Sequence, residues 1–471
     1  MNTEPQRFPA NLGDLDISRP VHLAGVGGSA MSGLAILLAR RGFTVTGSDP
    51  NLEKSMIERL VASGVTVHTL QDGSNIPKNT QLVVATAALP STHPELEAAR
   101  SRGIPVVKYA GMLGAILDSH DGIAIAGTHG KTTTAAMTVA ALGGAGIDAG
   151  FIIGGHIPQF SAPRRSVNSD IFVAEACEYD RSFLNLTPHR AVITNIETDH
   201  LDIYSDLDDV LDAFADFTTR IPPNGALFHN ADCPNTGRIL PDLSCRKISL
   251  STRNTADFEA RNIRVDSEKT AFELFHRNEA ATEVILTQPG LHNVANALAA
   301  MAVGLDLGLD AGELARGIGT FSGIARRFEV KGTVGGTTVV DDYAHHPTEI
   351  RALLQGAVSR YPSRRLIVAF QPHQISRTGF LFDELATCFS LADLVFVTDI
   401  FAAREEPDDS KRAKAIDLAA EMRKNGTDAE HIGDLVDLAH RAVTVSEPGD
   451  IFLTVGAGDI YTVAERVLEL L

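Results

Sequence analysis

The stretch Gly127-Thr128-His129-Gly130-Lys131-Thr132-Thr133 combines the residue types that hold a nucleoside triphosphate. Backbone amides from Gly127 to Thr132 can wrap phosphates, and Lys131 can reach β- and γ-phosphate oxygens. The hydroxyl of Thr132 or Thr133 can bind Mg2+. The spacing departs from the common phosphate loop, which has a glycine five residues before its Gly-Lys pair. Here that position is Ile125. Gly-Lys-Thr-Thr between a strand and a helix is nevertheless too specific for a plain glycine turn.

Acids and histidines follow other apolar runs. "FVAEACEYD" ends in Glu175, Glu178 and Asp180, and "VITNIETDHLD" in Asn195, Asp199 and His200. Ligands of open α/β sheets bind beyond the carboxyl ends of the strands, so these groups can converge near Lys131 and hold Mg2+. Glu178 and Asp180 read as solvated loop residues, whereas Glu175 and His200 closely follow their strands. His200 by itself is ambiguous, because Mg2+ prefers oxygen. Further on, "VVDDYAHHPTEI" crowds Asp342, Tyr343, His345 and His346 at one strand end, and "AFQPHQISRT" places His373 and Arg377 beyond another. These read as an active-site wall.

A second glycine loop opens the chain. "GVGGSAMSG" supplies Gly25, Gly27, Gly28, Ser29, Ala30, Met31 and Ser32, and Asp49 ends the next apolar run. The pattern fits a nicotinamide or flavin site, another diphosphate ligand, or a structural turn. A dehydrogenase would use only this loop and leave Lys131, Glu175 and His200 idle.

The elements that must position these residues alternate between strand and helix signals. "VHLAGVGG", "FTVTGSD", "QLVVATAALP" and "IPVVKYA" read as buried strands, with the helix "AMSGLAILLARRG" between the first two. This is the grammar of a mostly parallel, doubly wound sheet. A break near "LDSHDG" precedes a second α/β unit. A polar stretch from Ser251 to Glu283 suggests antiparallel strands, and the helix "HNVANALAAMAVGLDLG" follows it. Another break near "GIARRFEVKG" precedes a third unit. The fold class is therefore α/β in three consecutive domains.

Composition limits the partners. The chain has 471 residues, 44% of them hydrophobic, and a net charge of −18. That charge disfavours nucleic acid and anionic membranes. The four cysteines are scattered without zinc spacing, as expected in a reduced cytoplasm. The opening "MNTEPQRFPANLGDLDISRP" lacks the apolar centre of a signal peptide, and no membrane span is expected.

Together these motifs resemble the Mur ligase family, ATP-dependent amino-acid-adding enzymes of peptidoglycan precursor synthesis. The resemblance rests on "GVGGSAMSG", "AGTHGKTTT", "EACEYDRSFL", "TNIETDHLD", "PGLHNVANALAA", "ARRFEVKG", "DDYAHHPTE", "FQPHQISRT" and "GAGDI" in the family's order. It implies a Rossmann-like UDP-sugar domain over 1–117, a P-loop-type ATP domain with a mixed sheet over 118–325, and a Rossmann-like amino-acid domain over 326–471. The opening loop then holds the UDP of UDP-N-acetylmuramate, through Gly25, Gly27, Gly28, Ser29, Ala30, Met31, Ser32 and Asp49. ATP would be bound by Gly127, Thr128, His129, Gly130, Lys131, Thr132 and Thr133, with His292, Asn293 and Asn296 near the adenine. Arg327 and Asp342 would reach the nucleotide, and Thr132, Glu175 and His200 would hold Mg2+.

Tyr343, His345, His373 and Arg377 match the amino-acid side of the alanine-adding branch. Lys131, His200, Arg327 and His345 carry the catalytic expectations. Other branches resemble one another in using a carbamylated lysine after the motif of His200. This chain has no lysine between Lys131 and Lys247, which favours the alanine-adding branch over the others. The nearest rival branch joins the same sugar nucleotide to a preformed murein tripeptide. A non-catalytic UDP-sugar sensor is a third reading, opposed by the intact Lys131, Glu175, His200 and Arg377. The expected assembly is a monomer or homodimer.

Overall fold

The computed structural model describes residues 13, 15–160, 169–240, 243–403, 405 and 414–471. Most of the opening segment read for a signal peptide lies outside the described residues. Three sheets follow one another along the chain.

The first sheet contains β1 (Val21–Ala24), β2 (Val45–Ser48), β3 (Val65–His68), β4 (Leu82–Ala85) and β5 (Val106–Lys108), in the order β3-β2-β1-β4-β5. All its pairings are parallel. Its central strands are buried along their whole length, as parallel strands covered on both faces must be. The helix Ser29–Arg40 starts immediately after the glycine loop and buries Met31, Leu34, Ala35 and Leu38.

The second sheet has nine strands: β6 (Asp121–Ala126), β7 (Gly150–Ile152), β8 (Ile171–Glu175), β9 (Arg190–Ile193), β10 (Ala226–Asn230), β11 (Arg246–Ser251), β12 (Phe258–Val265), β13 (Thr270–His276) and β14 (Glu279–Leu286). Their order is β14-β13-β12-β11-β10-β9-β6-β8-β7. The last two pairings, β12 with β13 and β13 with β14, are antiparallel, so the polar stretch forms the expected hairpins and the sheet is mixed. The helices Lys131–Gly144 and Leu291–Asp306 are rich in alanine, pack closely on each other, and share one apolar core.

The third sheet contains β15 (Glu329–Val334), β16 (Thr337–Asp342), β17 (Leu366–Phe370), β18 (Leu394–Val397), β19 (Ala429–His431) and β20 (Ile451–Val455), in the order β15-β16-β20-β17-β18-β19. Only β15 runs antiparallel to its neighbour. Among the described residues no helix is long and apolar enough to cross a membrane.

Candidate active site

The phosphate-type loop bridges β6 and the helix Lys131–Gly144. At Gly127, where φ is +130°, a Cβ would lie 2.0 Å from Thr194 Oγ1 and 3.0 Å from the Asn195 carbonyl. Only glycine lets this backbone lie against the end of β9. Asn195 then holds the loop by accepting from the Thr128 amide at its carbonyl (3.0 Å) and from the His129 amide at Oδ1 (2.8 Å).

Lys131 is folded back into this loop. Its Nζ donates to the carbonyls of Gly127 (2.6 Å) and Thr128 (3.0 Å) and to Glu178 Oε1 (2.9 Å). Burial opposes its charge, but Glu178, together with Cys177 and Glu175, outweighs burial and raises its pKa. Glu178 is therefore not a solvated loop residue. It is 2% exposed, and Tyr204 anchors its carbonyl through a 2.6 Å hydrogen bond. Asp180 does remain partly solvated, paired with Lys108 at 3.1 Å.

The expected metal ligands separate into two groups. Thr132 Oγ1 donates to Glu175 at 3.0 Å, and the Gly154 amide donates to the same carboxylate at 2.7 Å. The imidazole of His200 approaches Glu178 Oε1 at 3.6 Å and Asp199 Oδ2 at 3.9 Å. Asp199 does not behave as a free metal-seeking acid. Its Oδ1 accepts from Arg377 Nη2 (2.8 Å) and Nε (3.1 Å), and from the His200 amide (2.7 Å). Burial alone would raise the Asp199 pKa, but His200 and Arg377 bring it far below the usual carboxylate range.

The third unit supplies the opposite wall. Arg327 sits between Arg326 and Phe328, two non-glycine residues with φ of 60° and 48°. Such backbone is held only by strong local bonds. Here the Arg326 amide donates to Glu329 (2.8 Å) and the Phe328 amide to Asp342 Oδ2 (2.7 Å). Asp342 also accepts from the Ala344 amide at 2.7 Å, and burial lifts its pKa to about 6 despite Arg327. Tyr343 lies under both guanidinium groups, 5.0 Å from Arg326 and 5.3 Å from Arg327. His345 places its ring 5.8 Å from that of His373, which in turn lies 3.1 Å from Arg377 Nη1. Burial lowers the pKa of His345, opposed by Glu349.

Glu349 was the main residue missed by sequence reasoning. It is the third residue of the helix Pro347–Arg360 and closes a capping box with His346. Its carboxylate also lies 3.3 Å from His129 Nδ1, 3.5 Å from His345 Nδ1 and 3.6 Å from Arg327 Nη1. Glu197 was missed as well. It accepts from Thr348 Oγ1 at 2.7 Å, joining the central unit to the third. Burial opposes the charge on His129, but Glu197 and Glu349 outweigh it and raise its pKa to about 9. The glutamate three residues after a helix cap was a readable signal for Glu349. Its convergence with His129 was not.

A cavity of about 450 Å3 lies between these walls. His129, Thr132, Asn195, His292, Arg327 and Asp342 all line it, as do Asn293 and Asn296 from the helix after Gly290. Asn296 fixes that helix by accepting from Thr134 at 3.0 Å. Burial, with Arg327 nearby, lowers the His292 pKa to about 4 and keeps its ring neutral.

The opening glycine loop lies on the first sheet. Asp49 accepts from the Gly27 amide at 3.0 Å and from the Asn51 amide at 3.0 Å, so its carboxylate braces the loop. Met31 and Ser32 face the core, which leaves only their backbone for a ligand. Ser29 donates to the Gly154 carbonyl at 2.6 Å. The loop is thereby tied to the segment that also holds Glu175.

Three family models match the chain in succession. Residues 20–121 match the Mur ligase family catalytic domain, 125–304 the Mur ligase middle domain, and 326–458 the Mur ligase glutamate ligase domain. The chain belongs to the Mur ligase family. It is similar to the UDP-N-acetylmuramate–L-alanine ligases of Salinibacter ruber (41% identity, 96% of this chain and 95% of that protein) and Clostridium novyi (40%, 96% and 98%). Among solved structures, it resembles the UDP-N-acetylmuramate-alanine ligase MurC of Thermotoga maritima with a TM-score of 0.81, at 26% identity over 96% of this chain and 98% of that one. A murein peptide ligase of Psychrobacter arcticus resembles it with a TM-score of 0.71, at 27% identity over the same shares.

Proposed function

We propose that this Mur ligase joins L-alanine to the lactyl carboxylate of UDP-N-acetylmuramate at the expense of ATP, in peptidoglycan precursor synthesis in the cytoplasm. The observation that carries the reading is the meeting of two units at one cavity. Thr132, bonded to Glu175 and adjacent in sequence to Lys131, lines it from the central unit, and Arg327 and Asp342 line it from the third. The His345–His373–Arg377 group lies beside it, tied to the central unit by the Arg377–Asp199 pair.

A carboxylate oxygen is a poor leaving group and needs activation. In the proposed reaction the lactyl carboxylate attacks the γ-phosphorus of ATP, the bond to the bridging oxygen breaks, and ADP leaves. The alanine amine then attacks the acyl carbon, and inorganic phosphate leaves. Positioning and charge neutralisation dominate phosphoryl transfer. Lys131 and Arg327 supply fixed positive charge for two anions that would otherwise repel. Lys131 has to exchange its carbonyl and Glu178 contacts for phosphate oxygens. The Thr132 hydroxyl and Glu175 carboxylate form an oxygen donor pair of the kind Mg2+ prefers, while His200 stands apart from them beside Glu178 and Asp199. Mg2+ bound there supplies charge neutralisation at the phosphates.

In the second step the amine must lose a proton. His345 is the proposed acceptor, because its lowered pKa keeps the ring unprotonated at neutral pH. Arg377 is the proposed partner of the alanine carboxylate, and Tyr343 limits the side-chain space. The test is ADP release in the presence of UDP-N-acetylmuramate, scored across free amino acids and L-Ala-γ-D-Glu-diaminopimelate. The reading expects release with L-alanine and much weaker release with glycine or serine. Preference for the tripeptide would replace it with the recycling branch.

A further inference from the structure

We propose that His129, Glu197 and His346 form a second cation site, for a borderline divalent ion of the Zn2+ class, which staples the third unit to the central one. One donor atom from each residue lies within 4.8 Å of the other two. His129 Nε2 is 3.5 Å from Glu197 Oε2, and His346 Nδ1 is 3.9 Å from the same oxygen. A tetrahedral ion with bonds of about 2.0–2.1 Å needs its donors roughly 3.3 Å apart. The two spacings to Glu197 need only a small contraction, the two imidazoles lie within 4.8 Å of each other and must draw closer, and the cavity lined by His129 and Glu197 can provide a fourth, exchangeable ligand.

Three further observations point to an ion. His129 Nε2 is a buried atom with no hydrogen-bond partner, although it faces the cluster. The other ring nitrogen of His129 lies 3.3 Å from Glu349 Oε1. A carboxylate behind a ligating imidazole fixes its tautomer and orientation, as in many metal sites. The competing bond at His346 is long, since the Thr348 amide reaches its Nδ1 at 3.3 Å. Two imidazole nitrogens and one carboxylate select a Zn2+-like ion over Mg2+, which prefers oxygen.

The site shares no residue with Thr132, Glu175 and His200. His129 and Glu197 come from the loops after β6 and β9, and His346 caps the helix Pro347–Arg360 of the third unit. An ion held by all three opposes separation of the units. Thr348 Oγ1 already crosses the same gap to Glu197.

The test uses Co2+ as a visible probe on the full chain in excess Mg2+. The expected result is one Co2+ per chain, with the strong d–d absorption of a low-coordinate site, displaced by Zn2+ and not by Mg2+. His346→Asn keeps a helix-capping oxygen but removes the imidazole, and Glu197→Gln removes the charge; each should abolish the band. Glu349→Gln should weaken binding by about 10- to 100-fold. Glu175→Gln should leave the band in place. Hydrogen exchange at the start of the Pro347–Arg360 helix should slow with Zn2+ in the wild type and not in His346→Asn. Absence of the band, its survival in both ligand variants, its loss in Glu175→Gln, or unchanged exchange with Zn2+ would overturn the proposal. None of these outcomes bears on ADP release, so the ligase reading stands or falls separately.

Discussion

Arg377 of the third unit donates through both Nη2 (2.8 Å) and Nε (3.1 Å) to one oxygen, Asp199 Oδ1, of the central unit. Both side chains are about nine-tenths buried. The guanidinium proposed to meet the alanine carboxylate thus also locks two units together. Arg377→Lys should raise KM for L-alanine far more than KM for ATP, because a point charge cannot reproduce the planar fork. Loss of a charged hydrogen bond worth about 1.5–3 kcal/mol corresponds to roughly 10- to 150-fold. Asp199→Asn should instead destabilise the protein, by about 3–5 kcal/mol, as it leaves a buried guanidinium unpaired. Steady-state kinetics and denaturant unfolding separate the two. An unchanged alanine KM in Arg377→Lys would remove Arg377 from the amino-acid site.

Lys131→Ala should lower kcat by at least about 10^2- to 10^3-fold, the scale for one preorganised charge on a reacting centre. UDP-N-acetylmuramate binding, measured by calorimetry, should persist, because the opening glycine loop lies on a different sheet. Near-normal kcat in this variant would sink the phosphate-loop assignment. Glu178→Gln should lower the raised pKa of Lys131, since that carboxylate is the largest of the charges opposing burial. Its turnover should fall at alkaline pH, where wild-type Lys131 is still protonated.

The two glycine loops should fail differently. A Cβ at Gly27 would lie 2.8 Å from Asp49 Oδ2 and 2.9 Å from Leu52 Cδ2, so Gly27→Val must break the Asp49 brace. The expected outcome is a raised KM for UDP-N-acetylmuramate with little change for ATP. Gly127→Ala clashes with Thr194 and the Asn195 backbone and should weaken ATP use instead. Equal effects on both substrates would argue against separate sites. Tight NADH binding by the wild type would return the opening loop to a redox role.

The pH profile should carry the mark of His345. Burial lowers its folded pKa, so the imidazole remains unprotonated as pH falls past the ordinary value of about 6.5. The acid limb of kcat/KM for L-alanine assigned to this group should therefore lie below 6.5. His345→Asn should remove that limb and cost about 10^2- to 10^4-fold in the alanine-dependent step. A limb at or above the ordinary histidine value that survives in the variant would exclude His345 as the base.

Local order in the sequence determined the α/β alternation, the three successive units and both glycine loops. Apolar runs ending in Gly, Asp, Glu or His mark the carboxyl ends of β1, β6, β8, β9 and β16, and parallel strands buried on both faces leave that pattern in any order of assembly. It also determined family membership, because the motifs occur in one order along nearly the whole chain. What tertiary structure alone decided is which charges meet. Glu178 reads as solvated from its neighbours, yet it is buried by contacts from Lys131, 47 positions away, and from Tyr204. Asp199 and Arg377 are 178 positions apart, and Glu197 and Thr348 are 151 apart. A carboxylate three residues into a helix signals a cap, and Glu349 is one. Its approach to His129, His345 and Arg327 depends on how the third unit sits against the central sheet. Desolvation and opposing charge act through space, so the pKa shift of Lys131 exists only once the central unit has folded, and those of His129 and Asp199 also draw on Glu349, Arg377 and His345 of the third unit.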